Sequence, residues 1–182
     1  GVAAASRRPV TVRGVIIPGS DAAVIVDRID IGDIRSGTRG PTGAQPYIWI
    51  LVRFADNPAT PEQPAWFLSQ ALGPAPSLDH FWRELSFNTI DLTGSSVAGW
   101  YVLPHPRAYY VYDIDPNDPG DELDFQRAVT DATAVADDDV YFPDFNGINL
   151  IFNDGLDGYS WGGGAYLSLD GQLVSAPVLV RQ

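Results

Sequence analysis

The chain has 182 residues, enough for one domain with a small appendage and for a substantial buried core. Its formal net charge is −12 and all its cationic residues are arginines, so we expect no nucleic-acid partner, because an acidic surface repels phosphate backbones. Cysteine is absent, which excludes disulfides, thiolate catalysis and cysteine-ligated zinc. No apolar run approaches the roughly 20 residues that span a bilayer, so we also expect no membrane span.

The first 35 residues are predicted to form a small β-hairpin segment. Residues 10–34 (VTVRGVIIPGSDAAVIVDRIDIGDI) contain two strand-like runs around a turn signal at Pro18 to Asp21. A lone hairpin is marginal in water, so we expect it to pack on the rest of the chain or to form a small satellite. Residues 36–46 (SGTRGPTGAQP) lack a hydrophobic period and are predicted to be a linker or long loop.

From residue 47 onward the pattern predicts strands and helices in alternation, and therefore a mixed α/β fold. Residues 47–54 (YIWILVRF) form an apolar run that is typical of a strand buried on both faces. A short helix is predicted over residues 61–72, closed by Gly73. A second helix, over residues 77–87, is predicted to begin at the N-cap Ser77. Its apolar positions share one face, which we expect to be buried: Leu78, Phe81, Trp82 and Leu85.

Further elements are predicted in the second half of the chain. Residues 88–93 and 97–103 are predicted to pair as a hairpin, and Asp121 to cap a helix. That helix presents one apolar face, made of Phe125, Ala128, Val129, Ala132 and Ala136. Residues 149–152 are predicted to form a strand, and residues 165–169, after three glycines, the last strand.

Several phrases, in this order, resemble the first half of the catalytic domain of the immune inhibitor A-type metallopeptidases. They are ILVRFAD, FWRELSFNTIDLTG, VAGWYVLP with the tyrosine pair of AYY, and AVADDDVYFPDF. That family consists of secreted bacterial zinc endopeptidases related to the gametolysins. The resemblance covers about residues 47–171. It implies a secreted or extracellular protein with a peptide or protein substrate, and an incomplete zincin-like α/β domain over residues 47–182 with a mixed twisted sheet and packed helices.

The chain departs from the family in its zinc ligands. Such enzymes hold zinc with H-E-x-x-H on a helix and a third ligand downstream, and the glutamate activates the bound water. This sequence has no H-E-x-x-H, and its only histidines are His80 and His105. The resemblance places the zinc helix beyond Gln182. We therefore expect a fragment of a zinc endopeptidase that has no catalytic residues and no tightly held zinc by itself.

An acidic loop is the predicted metal site. Residues 113–124 (DIDPNDPGDELD) are spaced partly like an EF-hand loop, although Asp118 replaces its glycine and Asp124 its glutamate. A calcium site of another kind is predicted at Asp113, Asp115, Asn117 and Asp118, because oxygen ligands suit a hard cation. The alternative is a solvated acidic loop.

A glycine-rich strand is the predicted substrate site. Zincin-type peptidases bind substrate as an added strand along the sheet edge that precedes the zinc helix. The residues predicted to do this are Gly163, Gly164, Ala165, Tyr166 and Leu167. Such an edge should also promote self-association, which a charge at Leu167 or a proline at Ala165 should reduce. The alternative is a flexible glycine loop entering an ordinary strand.

A second function class stays open. The chain could be a stand-alone calcium-dependent or carbohydrate-binding module without enzymatic activity. Its aromatic residues could line a sugar-binding face: Trp82, Trp100, Tyr101, Tyr109 and Tyr110. Their helical and strand spacing favours core packing for most of them.

Overall fold

The computed structural model describes residues 10–16, 24–31, 40–114, 120–156, 161–169 and 172–181. The chain divides into two compact units, residues 1–40 and 41–182. In the first unit, β1 (Val10–Ile16) pairs antiparallel with β2 (Val24–Ile31). The predicted hairpin is therefore confirmed, while its turn signal at residues 18–21 lies outside the described residues.

The second unit is mixed α/β, as predicted. Its elements in chain order are β3 (Gly43–Ala44), β4 (Tyr47–Arg53), α1 (Pro64–Leu72), α2 (Leu78–Leu85), β5 (Ile90–Asp91), β6 (Ser96–Val102), α3 (Arg107–Tyr110), β7 (Val111–Tyr112), β8 (Glu122–Leu123), α4 (Phe125–Ala136), a 3₁₀ turn (Phe142–Asp144), β9 (Gly147–Phe152), β10 (Trp161–Leu169) and β11 (Gln172–Arg181). Five strands form one sheet in the order β10-β11-β9-β4-β6. Neighbouring strands in it are parallel except β10, which runs antiparallel to β11.

The main core lies between this sheet and α4. The inner strand β4, between β9 and β6, is buried from Ile48 to Val52, as its apolar run predicts. The buried face of α4 consists of Ala128, Val129, Ala132, Thr133 and Ala136. Small residues at this spacing let the helix approach the strands closely, so the predicted helix and its face are confirmed. Its N-cap is Asp124, whose side chain accepts a hydrogen bond from the Arg127 N–H, and the prediction of Asp121 is wrong.

A smaller cluster of Trp49, Ala71 and Leu92 involves residues of β4 and α1. α1 begins at Pro64, whose missing N–H costs nothing at a helix start, and is closed by Gly73, as predicted. Ser77 caps α2 by accepting a hydrogen bond from the His80 N–H at 3.2 Å. None of the helices in the described part of the chain is long and apolar enough to cross a membrane.

The apolar face of α2 is not buried, contrary to the prediction. Leu78, Phe81, Trp82 and Leu85 are between 41% and 58% exposed. The helix is attached instead by a polar contact, in which Asp79 Oδ1 accepts a hydrogen bond from the Leu92 N–H at 2.7 Å. A hydrophobic period shows that a helix has an apolar face, but a partner must also be present for that face to be buried.

The predicted hairpin over residues 88–103 is also wrong. β5 pairs in parallel with β3, and β6 pairs in parallel with β4. Between β5 and β6 the chain turns at Gly94, whose φ of +89° is a conformation that glycine adopts readily. Ser95 Oγ then accepts a hydrogen bond from the Tyr47 N–H at 2.9 Å, which fixes the start of β6 beside the start of β4.

The sheet contains a strand that the sequence prediction missed. The last strand was expected at residues 165–169, yet β10 already begins at Trp161 and β11 follows it. β11 lies between β9 and β10, so it is an inner strand of the sheet. The signal for it was the dipeptide Asp170-Gly171, a typical two-residue hairpin turn between β-rich runs. The segment predicted as a linker, residues 36–46, includes β3.

Candidate functional site

The predicted substrate residues lie in a strand at the end of the sheet. Gly163 pairs with Val178, Gly164 with Pro177 and Ala165 with Ala176, all on the β11 side. Among the described residues no strand pairs with the other side of β10. The sheet formed by the described residues therefore leaves the backbone N–H and C=O groups on this side of β10 unpaired. The edge position agrees with the prediction, whereas the substrate role stays a prediction.

One of the predicted substrate residues, Leu167, has a side chain that is buried in the core. The Leu167 side chain is 5% exposed and belongs to the main core, together with Leu169. Its side chain anchors β10, and only its backbone remains to meet a partner. A charge at Leu167 would also disrupt the core, and its predicted effect on self-association stays a prediction.

Asn153 joins the carboxyl ends of two neighbouring strands. Its Oδ1 accepts a hydrogen bond from the Phe54 N–H at 3.1 Å, just after β4 ends. Its Nδ2 donates to the carbonyl oxygens of Asn57 at 3.0 Å and Ala59 at 2.8 Å. One carboxamide thus holds the segment that leaves β4 against the end of β9.

Asp154 and Arg107 extend this network. The Gly155 N–H and the Asn57 side chain both donate to the Asp154 carboxylate and lower its pKa. The Arg107 N–H donates to Asp56 Oδ1 at 3.0 Å, and Arg107 Nε donates to the Gly155 carbonyl at 2.7 Å. Ligand sites often lie at the carboxyl ends of parallel strands. Here the polar groups bind one another, and the cluster serves to join loops.

The predicted calcium loop falls largely outside the described residues. Asp113 is exposed, and Asp115, Asn117 and Asp118 are not described. At the end of this loop, the Asp124 carboxylate accepts a hydrogen bond from Tyr112 Oη at 2.9 Å and pairs with Arg127 Nε at 3.0 Å. In the described part of the chain, no three His, Cys, Asp or Glu residues are grouped as metal ligands. Calcium binding stays a prediction.

Three of the aromatic residues considered for a sugar-binding face make internal contacts. Trp100 Nε1 donates to the Glu62 carbonyl at 2.8 Å, and the Trp100 ring packs edge-on against Phe67. Tyr110 is fully buried and its hydroxyl donates to Asp131 at 2.8 Å. The Tyr101 hydroxyl donates to Asp139 at 3.1 Å. These contacts join α1 and the loop after α4 to β6, and α4 to α3.

The two histidines contact different neighbouring residues. The His80 Nε2 atom lies 3.6 Å from the Glu84 carboxylate on the surface of α2. The His105 ring stacks on Tyr109 with centroids 3.9 Å apart, in the loop after β6. Each histidine therefore has its own local partner.

A cavity that the sequence did not reveal lies between α2 and the sheet. Its volume is about 200 Å³. Its described lining consists of Pro41, Gln45, Tyr47, Trp49, Leu78, Trp82, Ile90, Leu92 and Asn149. The only sequence signal for it was Asn149, a polar residue inside the otherwise apolar run of β9.

Comparison of the sequence with protein families and curated proteins adds no relative. No protein-family model matches the chain, and no curated protein matches its sequence significantly. The functional assignment therefore depends on the sequence phrases quoted above and on the geometry of the sheet.

Proposed function

We propose that this chain is the N-terminal part of the catalytic domain of a secreted zinc endopeptidase of the immune inhibitor A type, and that it is not catalytic by itself. The observation that carries the proposal is the position of β10 at the edge of the sheet. The sequence resemblance implies that substrate binds along the edge strand that precedes the zinc helix. β10 is a glycine-rich edge strand, and the inner strand β11 follows it in the chain before the place where we expect that helix.

The backbone of β10 supports this role. It runs antiparallel to β11 over nine residues, so its outer side is a continuous ladder of main-chain donors and acceptors. An extended peptide adds to such an edge through main-chain hydrogen bonds, with pockets for alternate side chains giving specificity. Glycines at 162, 163 and 164 let another backbone approach closely. Burial of Leu167 and Leu169 against the core keeps the strand rigid while its edge is occupied.

The reaction itself needs groups that this part of the domain does not provide. In the complete enzyme, zinc would activate a water molecule for attack on the peptide carbonyl. We place its ligands on a helix after β11. The contribution of residues 41–182 is to align the substrate backbone, which reduces the entropic cost of bringing the peptide bond to the nucleophile.

The complete open reading frame tests this proposal. It should encode H-E-x-x-H within a few tens of residues after Gln182, on the zinc-helix spacing of such peptidases. The complete protein should contain zinc and should cleave a general protein substrate, with the cleavage abolished by a zinc chelator. Residues 1–182 alone should neither cleave nor retain zinc.

Two outcomes would overturn the proposal. One is a reading frame without any zinc-binding helix, which would favour a stand-alone module. The other is chelator-sensitive cleavage by residues 1–182 in a preparation shown to be free of contaminating protease.

A further inference from the structure

The cavity between α2 and the sheet, defined above by its lining and here named the α2–β9 cavity, is uncharged. All its described lining residues are neutral, and Tyr47, Trp49 and Trp82 contribute aromatic rings. Its volume of about 200 Å³ is comparable to apolar protein cavities of roughly 150 Å³ that bind benzene. The space therefore suits one ring with a small substituent.

Asn149 gives this cavity a specific polar group. It is only 7% exposed, and it alternates along β9 with Ile148 and Leu150, which belong to the main core on the opposite face. Asn149 therefore directs its side chain to the cavity, where it forms part of the lining. None of the described residues forms a hydrogen bond with its carboxamide. Its amide atoms are not sealed in the core but face the open space of the cavity, where they offer both a donor and an acceptor.

The other amide in the lining is already engaged. Gln45 Oε1 accepts a hydrogen bond from Asn146 Nδ2 at 2.8 Å, and Gln45 Nε2 donates to the Thr42 carbonyl at 3.3 Å. Gln45 therefore shapes the wall of the cavity, and Asn149 is the amide of the described lining that is left for a ligand.

We propose that the α2–β9 cavity binds a small uncharged single-ring compound that carries a carboxamide or a similar paired donor and acceptor, recognised by Asn149. The aromatic walls take the ring, and the Asn149 carboxamide pairs with the polar substituent. An anion is disfavoured because the described lining offers no cation and the chain carries a net charge of −12. The proposal does not depend on the peptidase role.

Binding of benzamide, toluene and benzoate to the 182-residue chain tests this inference, measured by calorimetry and by ligand-observed NMR. Benzamide should bind more tightly than toluene or benzoate. Asn149→Leu keeps the branched shape of the side chain and removes the amide. It should weaken benzamide by about five- to thirty-fold, the value of one to two neutral hydrogen bonds, and should leave toluene unchanged or tighter.

Two further variants separate the cavity from the surface. Ile90→Trp fills the cavity and should abolish binding of all ring compounds. Phe87→Ala alters an aromatic residue that is 73% exposed and outside the lining, and should leave binding unchanged. Absence of benzamide binding to the unaltered chain would overturn the proposal. Equal affinity of the Asn149→Leu variant for benzamide would overturn the role of the amide.

Discussion

A single methyl group at Gly99 tests the pairing of β4 with β6. Gly99 lies opposite Leu51 and has a φ of +112°, a region that other residues rarely adopt. A Cβ there would collide with the Leu51 carbonyl oxygen. We expect Gly99→Ala to lower the free energy of unfolding by about 2–5 kcal/mol. Of this, about 1–2 kcal/mol comes from the backbone conformation and about 1–3 kcal/mol from overpacking.

Denaturant and thermal unfolding followed by circular dichroism measure this loss, which corresponds to a fall in Tm of roughly 5–15 °C. Gly43→Ala is the matched control, because Gly43 also has a positive φ, +79°, but no atom lies within 4 Å of a Cβ built on it. It should lose only the backbone part, about 1–2 kcal/mol. Equal losses in the two variants would refute the close approach of the two strands.

Three further predictions concern the loops and the phenols. Asn153→Ala removes three hydrogen bonds and should lower the free energy of unfolding by roughly 1.5–4.5 kcal/mol, measured with denaturant. Asn146→Ala removes one exposed hydrogen bond and should lower it by less than about 1 kcal/mol. Similar losses in the two variants would contradict the role of Asn153. Burial and the hydrogen bond to Asp139 raise the pKa of Tyr101 from 10.0 to about 12, so its stabilisation is complete below pH 10 and is lost as the pH rises through about 12. Over that pH window the free energy of unfolding of Tyr101→Phe should therefore fall less steeply than that of the unaltered chain. An unchanged pH profile would argue against the raised pKa of Tyr101. Calcium should raise the Tm of the chain but not that of Asp115→Ala, and a chain without any calcium response would count against the predicted site.

The sequence predicts those elements of the fold in which the pattern of apolar and small residues directly reflects which side chains are buried. The run from Tyr47 to Arg53 is apolar on both faces and forms an inner strand of the sheet, and the small residues of α4 form the buried face of that helix. The face of α2 has an equally clear period but is exposed, because burial depends on a partner that the period does not specify. β11 was missed although the sequence Asp170-Gly171 is a typical turn signal, because Pro177 and Ser175 weaken the strand pattern of the residues that follow.

The edge strand and the α2–β9 cavity also differ in how far the sequence alone indicates them. The edge strand was predictable because three consecutive glycines followed by alternation are a local signal for a strand with a bare backbone. The α2–β9 cavity combines residues from Pro41 to Asn149, so no local pattern indicates it. Asn149 alone was visible as a polar residue in an apolar strand, and its meaning depends on the neighbours that the fold supplies.

The central claim is that a peptide substrate adds to the free edge of β10. Consecutive residues of a strand direct their N–H groups to opposite sides, so Ala165→Pro and Tyr166→Pro each remove a different bond. The proline at the position whose N–H bonds β11 should lower the Tm. The proline at the position whose N–H points away from β11 should leave the Tm nearly unchanged and remove a hydrogen bond to the incoming peptide.

The most direct measurement is kcat/KM for peptide hydrolysis by the complete gene product carrying each proline. We predict that the variant with the unchanged Tm loses at least about ten-fold in kcat/KM, since a lost main-chain bond and the close approach of the ring both weaken the added strand. Unchanged kcat/KM in that variant would contradict substrate binding along β10.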